Sequence, residues 1–144
     1  MSGTRSRKEV LHYMRYIKNL PQDPTCEFCD VTKDRPTPVK AGKYFTVINN
    51  IFPYSLWDEK SVLDHLMIVP KKHTDTLKGL PDLAAIEYVK ILGEYEALGY
   101  NSYARAPGSQ IKTIVHHHTH LIKSQGRRRS LLIHLRKPRI RVTI

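Results

Sequence analysis

The positions of the hydrophobic residues along the chain predict two helices. Residues 6–9 form a capping box, Ser-Arg-Lys-Glu, whose hydroxyl and carboxylate satisfy free N–H groups at a helix start. The apolar residues that follow at helical spacing, Val10, Met14 and Ile17, predict an amphipathic helix over residues 7–19. A longer helix begins after Pro81 and stops at Gly99. The apolar residues that recur along it are Leu83, Ile86, Val89, Leu92 and Tyr95.

Alternating and β-branched segments predict strands in much of the remaining chain. These segments are residues 43–48, 62–69, 100–105, 111–123, 131–135 and 140–144. Prolines and polar residues predict connections at 21–38 and 49–60, and Gly126 with the arginines after it predicts a turn. The expected fold class is therefore α+β. It consists of a mostly antiparallel sheet of about five strands, with a long helix and an N-terminal helix packed against it.

Length and composition limit the class of protein. A chain of 144 residues predicts a single domain over 1–144, made of an N-terminal helix and linker (1–24), a core (25–123) and basic C-terminal strands (124–144). The hydrophobic content of 40% and charged content of 26% exclude a wholly disordered chain. The apolar runs are only a few residues long, so we expect no membrane-spanning segment. The basic N-terminus has no apolar segment behind it, so we expect no secretory signal.

Positive charge is concentrated in the C-terminal third. The formal net charge is +11, and no Asp or Glu follows Glu96. The basic residues after that point are Arg105, Lys112, Lys123, Arg127, Arg128, Arg129, Arg136, Lys137, Arg139 and Arg141. Such a field favours anionic partners such as phosphates or nucleic acid. The plainer interpretation, a solvated and solubilising tail, suits Arg127–Arg129 taken alone.

Four histidines lie within the run His116-His117-His118-Thr119-His120. On a strand, alternate side chains share a face, which would place His116, His118 and His120 together and His117 on the opposite face. Each imidazole carries polar nitrogens that need partners, so three in line are costly in a core. An exposed polar face or a tag-like run are the alternatives. A tag would be uninterrupted and terminal, so a functional site is favoured.

The only two cysteines form Cys26-Glu27-Phe28-Cys29. Two cysteines are too few for a disulfide scaffold, and the C-x-x-C spacing is typical of metal binding or redox chemistry in a reducing compartment. We therefore expect a cytoplasmic location. Free or redox-active thiols are the alternative, and no thioredoxin-like pattern surrounds them.

Four segments together resemble the histidine triad (HIT) superfamily. Residues 116–122 are similar to its His-φ-His-φ-His-φ-φ signature, with His117 and Thr119 at positions that are usually apolar. Residues 64–73, Asp-His-Leu-Met-Ile-Val-Pro-Lys-Lys-His, resemble a second family strand, with Asp64 in place of glycine. Asn50-Ile-Phe-Pro-Tyr resembles a nucleoside-contacting segment, and residues 26–29 resemble the Cys-x-Phe-Cys of bacterial-type members. The resemblance implies a HIT-like fold.

The resemblance also implies catalytic roles. Family members attack the α-phosphorus of a nucleotide and form a nucleotidyl-imidazole intermediate. His118 would be the nucleophile, a role that suits a neutral imidazole fixed through its other nitrogen. His120 would bind phosphate oxygens and the leaving group, and His65 would be a third phosphate contact. Thr113 would donate to the leaving group, and Asn50 would contact the nucleoside.

Before the triad, the chain departs from the family pattern. Members usually carry an asparagine and a Gly-rich segment there, whereas this chain has Arg105-Ala-Pro-Gly and Lys112. Either cation is a candidate phosphate contact in their place.

The resemblance further implies a closed, structural Zn²⁺ site and no organic cofactor. Two thiolates and two imidazoles are a typical tetrahedral ligand set for structural zinc. The implied ligands are Cys26, Cys29, His73 and His116. A catalytic zinc hydrolase is a further alternative. It would need an open coordination position and a general base, and the sequence has no His-Glu-x-x-His.

Two classes of function follow. The first is a nucleotide-binding hydrolase or transferase, acting on a dinucleoside polyphosphate or nucleoside phosphoramidate through a nucleotidyl-histidine intermediate. The second is a basic nucleic-acid-binding module that uses the C-terminal third. The two combine in an enzyme acting on adenylylated nucleic-acid ends, like the aprataxin branch, although that branch's C-terminal zinc finger is absent here. Small family members are often homodimers, so a homodimer is expected, with no membrane partner.

Overall fold

The computed structural model of the chain describes residues 4–19, 26–29, 38–126, 130–134 and 139–143. Several predicted features lie outside these residues. They are the linker prolines Pro21, Pro24 and Pro36, the arginine turn at 127–129 and the strand break at Pro138.

Two helices and eight strands make up the described chain. The helices are α1 (Arg7–Lys18) and α2 (Asp82–Ala97). The strands are β1 (Pro38–Ala41), β2 (Phe45–Asn49), β3 (Leu56–Trp57), β4 (Lys60–Pro70), β5 (Asn101–Ala104), β6 (Thr119–Gln125), β7 (Ser130–His134) and β8 (Arg139–Thr143). The main sheet runs β1-β2-β4-β6-β5, with β3 paired to β4, and β7 and β8 form a separate pair. All pairings are antiparallel, so the predicted α+β class is confirmed.

The register of the two central strands brings distant histidines together. On β4, His65 lies opposite Ile122 and Met67 lies opposite His120 of β6. Positions two apart on a strand share a face, so His65 and His120 are diagonal neighbours on the same face of the sheet.

The opposite face of the sheet carries the main core, against α2. The buried residues of this cluster are Phe45, Val47, Leu66, Ile68, Ala84, Ile91, Tyr95 and Leu121. Glu87 of α2 accepts hydrogen bonds from the main-chain N–H groups of residues 43–45, which ties the β1–β2 turn to the helix. A Cβ at Gly42 would lie 2.3 Å from that carboxylate, so glycine is needed there. The histidine-bearing face is therefore free of α2.

The strand predicted at 111–123 is wrong over its first eight residues. β6 begins only at Thr119, where it pairs with both β4 and β5. Just before it, His117 N–H donates to the Thr74 carbonyl at 2.6 Å, so the chain follows the connection after β4 rather than the sheet. His116 and His118 thus lie on a loop, not on a strand face with His120. Two short strands were not predicted: β3 lies within the connection predicted at 49–60, and β1 begins where the connection predicted at 21–38 ends.

The helices match their predicted bounds closely, but their apolar residues do not all face inward. On α1, Val10 and Met14 are exposed, and the helix instead uses aromatic rings of Tyr13 and Tyr16 against Phe52. On α2, the buried stripe is offset from the predicted one, which leaves Leu83, Ile86 and Val89 exposed. Among the described residues, neither helix has the length and apolar character needed to cross a membrane.

Candidate active site and metal centre

His118 is held on the loop before β6 in one defined tautomer. Its Nδ1–H donates to the main-chain carbonyl of His116 at 2.9 Å, because a carbonyl can only accept. The neutral ring therefore carries its lone pair on Nε2. The side chain is buried, and its ring makes edge contacts with the rings of Phe28 at 5.2 Å and His120 at 5.0 Å between centroids. A neutral imidazole fixed in this way has the chemistry that a nucleophile needs.

A chain of hydrogen bonds fixes the tautomers of His65 and His120 in the opposite sense. The main-chain N–H of Tyr54 donates to His65 Nδ1 at 3.1 Å, so the proton of the neutral His65 ring is on Nε2. His65 Nε2 lies 2.9 Å from His120 Nδ1, which must accept that proton's hydrogen bond. The proton of His120 is then on its Nε2. The two neighbouring rings therefore present a lone pair (His118) and an N–H donor (His120).

Burial keeps these histidines neutral. Desolvation is the largest cause of the lowered pKa of His65, which falls to about 4, and it also lowers the pKa of His118 and His120. The His116 carbonyl partly offsets this for His118, because it stabilises the protonated ring. A neutral imidazole is the form that a nucleophile needs at pH 7.

Cations surround the three rings and lower their pKa further. Lys112 and Arg105 act on His118, and Arg105 also acts on His120. Arg5 acts on His65 and His120. The site is therefore an electropositive cluster of neutral imidazoles, which suits a polyanion. The sequence predicted Arg105 and Lys112 as phosphate contacts but missed Arg5, since nothing in its local pattern links residue 5 to the triad.

Four side chains form a cluster that can hold a metal ion. The ligand atoms of Cys26, Cys29, His73 and His116 all lie within 4.8 Å of one another. Cys26 Sγ lies 3.3 Å from His116 Nδ1, and Cys29 Sγ lies 3.2 Å from His73 Nδ1. The structure thus brings together all four predicted ligands.

The hydrogen bonds of the cluster also fit the binding of a metal ion. His116 Nε2–H donates to the Pro70 carbonyl at 2.9 Å, which leaves Nδ1 unprotonated and directed at the thiols. A second hydrogen bond of this kind commonly orients a metal-bound histidine. Desolvation and the Cys26 thiol raise the pKa of Cys29, and a bound cation would reverse that shift. Two thiols and two correctly oriented imidazoles fit a structural metal.

The other predicted site residues lie around the rings. Asn50 is half-buried, and its oxygen accepts from Phe52 N–H. Its amide nitrogen lies 3.1 Å from His65 Nε2, but both atoms carry protons when Tyr54 N–H donates to His65 Nδ1, so this contact is not a hydrogen bond. Thr113 is exposed, and its hydroxyl accepts from Tyr13 of α1. Lys112 Nζ donates to the Asp75 carbonyl at 3.2 Å. No described contact joins Thr113 to the triad, so its role stays a prediction.

Aromatic residues form a floor beneath His65 and His120. Tyr54 is buried, with its ring centroid 4.8 Å from that of His65 and 5.7 Å from that of His120. Trp57 stacks on Tyr54, and Tyr103 stacks on His120 at 6.0 Å. Tyr54 and Trp57 are thus packing residues that support the rings.

The sequence departures from the family motif have specific partners. His117 Nε2 contacts Thr119 Oγ1 at 3.2 Å, and Thr119 Oγ1 also pairs with Tyr88 OH at 2.8 Å. Asp64 accepts from the His65 N–H at 2.8 Å and from the Tyr100 hydroxyl. These residues replace apolar packing or glycine with hydrogen bonds that do not touch the ring nitrogens of His118 or His120.

Comparison with solved structures identifies the fold. A HIT family hydrolase from Legionella pneumophila is 23% identical, covers 71% of this chain and 95% of its own, and superposes with a TM-score of 0.54. A HIT family hydrolase from Clostridium thermocellum is 22% identical over 72% of this chain and 94% of its own (TM-score 0.53). A histidine triad nucleotide-binding protein from Candida albicans is 22% identical over 70% and 76%, respectively (TM-score 0.51).

No protein-family model and no curated protein sequence matches the chain. The likeness of this chain to those proteins therefore rests on the fold, on the four motifs and on the geometry that the motifs adopt. The chain has the fold of the histidine triad proteins, as the sequence motifs predicted.

Proposed function

We propose that the chain is a nucleotide-binding hydrolase or transferase that cleaves at the α-phosphate of a dinucleoside polyphosphate or a nucleoside phosphoramidate. One observation carries the proposal. His118 Nδ1 is fixed by the His116 carbonyl, so its lone pair is on Nε2, and the neighbouring His120 ring, 5.0 Å away between centroids, has the tautomer that presents an N–H donor. The similarity to proteins named HIT family hydrolases supports the same class of chemistry.

In the first step, the Nε2 lone pair of His118 attacks the α-phosphorus. An N–P bond forms while the bond from phosphorus to the leaving atom breaks, and the leaving atom takes that electron pair. His120 Nε2–H donates to a phosphate oxygen or to the leaving atom, which disperses the negative charge. Arg105 and Lys112 provide positive potential for the transition state. Asn50 contacts the nucleoside, and Thr113 donates to the leaving group.

In the second step, water or another acceptor attacks the same phosphorus. The N–P bond breaks, its electron pair returns to His118 Nε2, and the acceptor loses a proton to solvent. The product is a nucleoside monophosphate when water is the acceptor. The fixed Nδ1–H of His118 keeps the ring in the same orientation throughout.

The experiment compares wild type, His118→Ala and a control, His12→Ala, on α1. Each is incubated with diadenosine tetraphosphate, an AMP–lysine phosphoramidate and 5′-adenylylated DNA. We expect wild type and the control to release a nucleotide from at least one substrate, and His118→Ala to lose at least about a thousandfold in turnover. Mass spectrometry of a quenched reaction should locate the nucleotidyl group on His118. Turnover by His118→Ala would contradict its role as the nucleophile.

The same structure supports a structural Zn²⁺ held by Cys26, Cys29, His73 and His116. A reducing, cytoplasmic location would keep both thiols available as ligands. When bound, the ion would tie the loop at 26–29 to the residues after β4 and before β6, and no catalytic step passes through it. Elemental analysis should find about one zinc per chain. Cys26→Ser should lower metal content and thermal stability together, and an unchanged metal content would contradict the site.

A second candidate function is nucleic-acid binding through the basic C-terminal third. The observation that favours it is the net charge of +11, with ten basic and no acidic residues after Glu96. Electrophoretic mobility shifts with single-stranded and adenylylated DNA across a salt series test it. Nucleic-acid binding should weaken steeply with salt, whereas turnover of a small nucleotide should weaken less.

We also propose that the protein forms a homodimer. The exposed apolar residues Leu83, Ile86 and Val89 on α2 support this, since large exposed side chains on one helix favour an interface. Light scattering should give twice the mass of the chain, and Val89→Lys should give the monomer. A monomeric wild type would contradict the proposal.

A further inference from the structure

Arg5 is the one cation beside the triad that lies on the N-terminal segment, far in sequence from every motif. The segment is anchored: Thr4 exchanges main-chain hydrogen bonds with Leu56 of β3, at 3.0 and 3.1 Å. Ser6 N–H then donates to Ser55 Oγ at 2.9 Å. The backbone on both sides of Arg5 is therefore fixed against the connection that leads from Asn50 to β3.

The Arg5 side chain is oriented toward the floor of the site. Its Nε and Nη2 donate to the Phe52 carbonyl at 3.1 and 2.9 Å. The guanidinium carbon lies 4.8 Å from the ring centroids of both Tyr13 and Tyr54. Tyr54 in turn contacts the rings of His65 and His120. A planar guanidinium between two aromatic rings is held rigidly, so its remaining N–H groups keep a fixed direction.

These contacts do not use the whole hydrogen-bonding capacity of the group. A guanidinium has five N–H donors, and two bonds to one carbonyl leave three, including both on Nη1. Within the described ranges, no carboxylate forms an ion pair with Arg5. Glu9 is the nearby acid, and its carboxylate accepts instead from the Ser55 hydroxyl and the Ser6 N–H. Arg5 is thus a rigid, half-buried cation with donors to spare.

The three cations beside the rings differ in position, although Arg105 and Arg5 both act on His120. Lys112 and Arg105 act on His118, where the reacting phosphate would be attacked, and Arg105 lies 5.4 Å over the Tyr103 ring. Arg5 instead lies against Tyr54, at the His65 and His120 end of the row of rings. The His120 ring lies 5.0 Å from the His65 ring and 5.0 Å from the His118 ring, and among the described residues no ring contact joins His65 to His118. A cation at the far end is placed for a different anionic group of the same ligand.

We propose that Arg5 binds a second phosphate group of the substrate, distinct from the phosphate that His118 attacks. The inference rests on the proposed function and adds a substrate class to it: nucleotidyl compounds with at least two phosphate groups. The second phosphate has two possible sources. It belongs either to a polyphosphate chain on the leaving side or to the ribose of the nucleotidyl group, as in a nucleic-acid strand.

Steady-state kinetics with three substrates tests the proposal. Adenosine 5′-phosphoramidate has one phosphate, diadenosine tetraphosphate adds phosphates on the leaving side, and 3′-phosphoadenosine 5′-phosphoramidate adds one on the ribose. Arg5→Gln should raise KM for one two-phosphate substrate about tenfold relative to KM for the one-phosphate substrate, the loss of one charge-assisted contact. A raised KM for diadenosine tetraphosphate would place the second phosphate on the leaving side, and a raised KM for 3′-phosphoadenosine 5′-phosphoramidate would place it on the ribose. Arg5→Lys should restore part of the loss, because it keeps the charge without the fork.

Arg7→Gln, on the exposed side of α1, removes the same charge and should leave the KM ratios unchanged. If Arg5 only supports the fold, Arg5→Gln will raise KM equally for all three substrates, and that result would overturn the proposal. If wild type turns over none of them, the proposed function fails on its own. Calorimetric titration with AMP, ADP and adenosine 3′,5′-bisphosphate then decides for Arg5. An unchanged affinity ratio in Arg5→Gln would overturn its role as a phosphate ligand.

Discussion

Two histidine clusters lie side by side in this protein and differ in which ring nitrogen is left free. In the metal cluster, the Pro70 carbonyl accepts from His116 Nε2–H, so Nδ1 faces the thiols. In the cluster of His65, His118 and His120, the His116 carbonyl accepts from His118 Nδ1–H, so Nε2 carries the lone pair. In both clusters a single main-chain carbonyl selects the nitrogen that is left free. The partner of the second nitrogen, and not the residue type, therefore decides which chemistry each imidazole can offer.

The largest effects are expected when one imidazole ring is removed from each cluster in turn. His116→Ala should lose bound metal and lower the melting temperature on the order of 10 °C, because a structural metal contributes folding energy directly. His118→Ala should keep the metal, lose turnover and melt within a few degrees of wild type. Elemental analysis and calorimetry on both variants separate the two effects. Metal loss in His118→Ala would show that the clusters act as one site.

The next largest effect concerns the tautomer of His120. His65→Gln removes the Nε2–H that the His120 Nδ1 accepts, so His120 no longer presents a fixed donor to the substrate. We expect kcat to fall about a hundredfold with little change in metal content. Asp64→Asn is the matched control, because Asp64 accepts from the main-chain N–H of His65 and from the Tyr100 hydroxyl and forms no hydrogen bond with the His65 ring. An equal loss of kcat in both variants would mean that a disturbance of strand β4, and not the loss of the His65 ring, lowers turnover.

Stability should depend on pH because His65, His118 and His120 are buried and neutral. The pKa of His65 is about 4 in the folded chain against 6.5 when exposed, with burial as its main cause, so the unfolded chain binds more protons between these values. Stability is then full above pH 6.5 and is lost as the pH falls toward 4, on the order of 3 kcal/mol for His65 alone. Urea denaturation between pH 7.5 and 4.5 measures this. His65→Gln should give a shallower slope, and equal slopes would contradict the assignment.

The smallest effect concerns His117, which lies between the two clusters in sequence and belongs to neither. Its Nδ1 is buried with no hydrogen-bond partner among the described residues, and an unsatisfied buried polar atom costs stability. His117→Leu should therefore raise the free energy of unfolding by about 1 kcal/mol without changing turnover. Tyr88→Phe, which removes a partner of Thr119, should instead lower it by a similar amount. Destabilisation by His117→Leu would mean that the Thr119 contact outweighs the unpaired nitrogen.

Most of the fold and the membership of both clusters were predictable from the sequence. Helix bounds follow from a capping box, a first-turn proline and a terminal glycine, all local signals. The metal set followed from its resemblance to known motifs, and the structure brings its four members within 4.8 Å. The roles assigned to His118, His120 and the nucleotide-binding residues remain predictions until turnover is measured.

What failed were inferences that depend on distant partners. Strand periodicity extended β6 back to residue 111, but the chain leaves the sheet there because His117 N–H bonds to Thr74. The exposed apolar residues of α1 and α2 were likewise invisible, since a helical pattern does not say which side meets a sheet. Arg5 was not predicted as a site residue, because it reaches the triad through contacts with Phe52 and Tyr54, which lie about fifty residues away in the sequence.

Local signals in the sequence set where the two helices begin and end, because capping residues, proline and glycine act over a few neighbours. The sequence also sets the strongly basic character of the chain. The tertiary structure alone sets which ring nitrogen of each histidine is free, which cation lies near which ring, and that His116 and His118, two residues apart, belong to different clusters. Those properties depend on main-chain carbonyls and N–H groups supplied by other strands, and a linear pattern does not record which of them will meet.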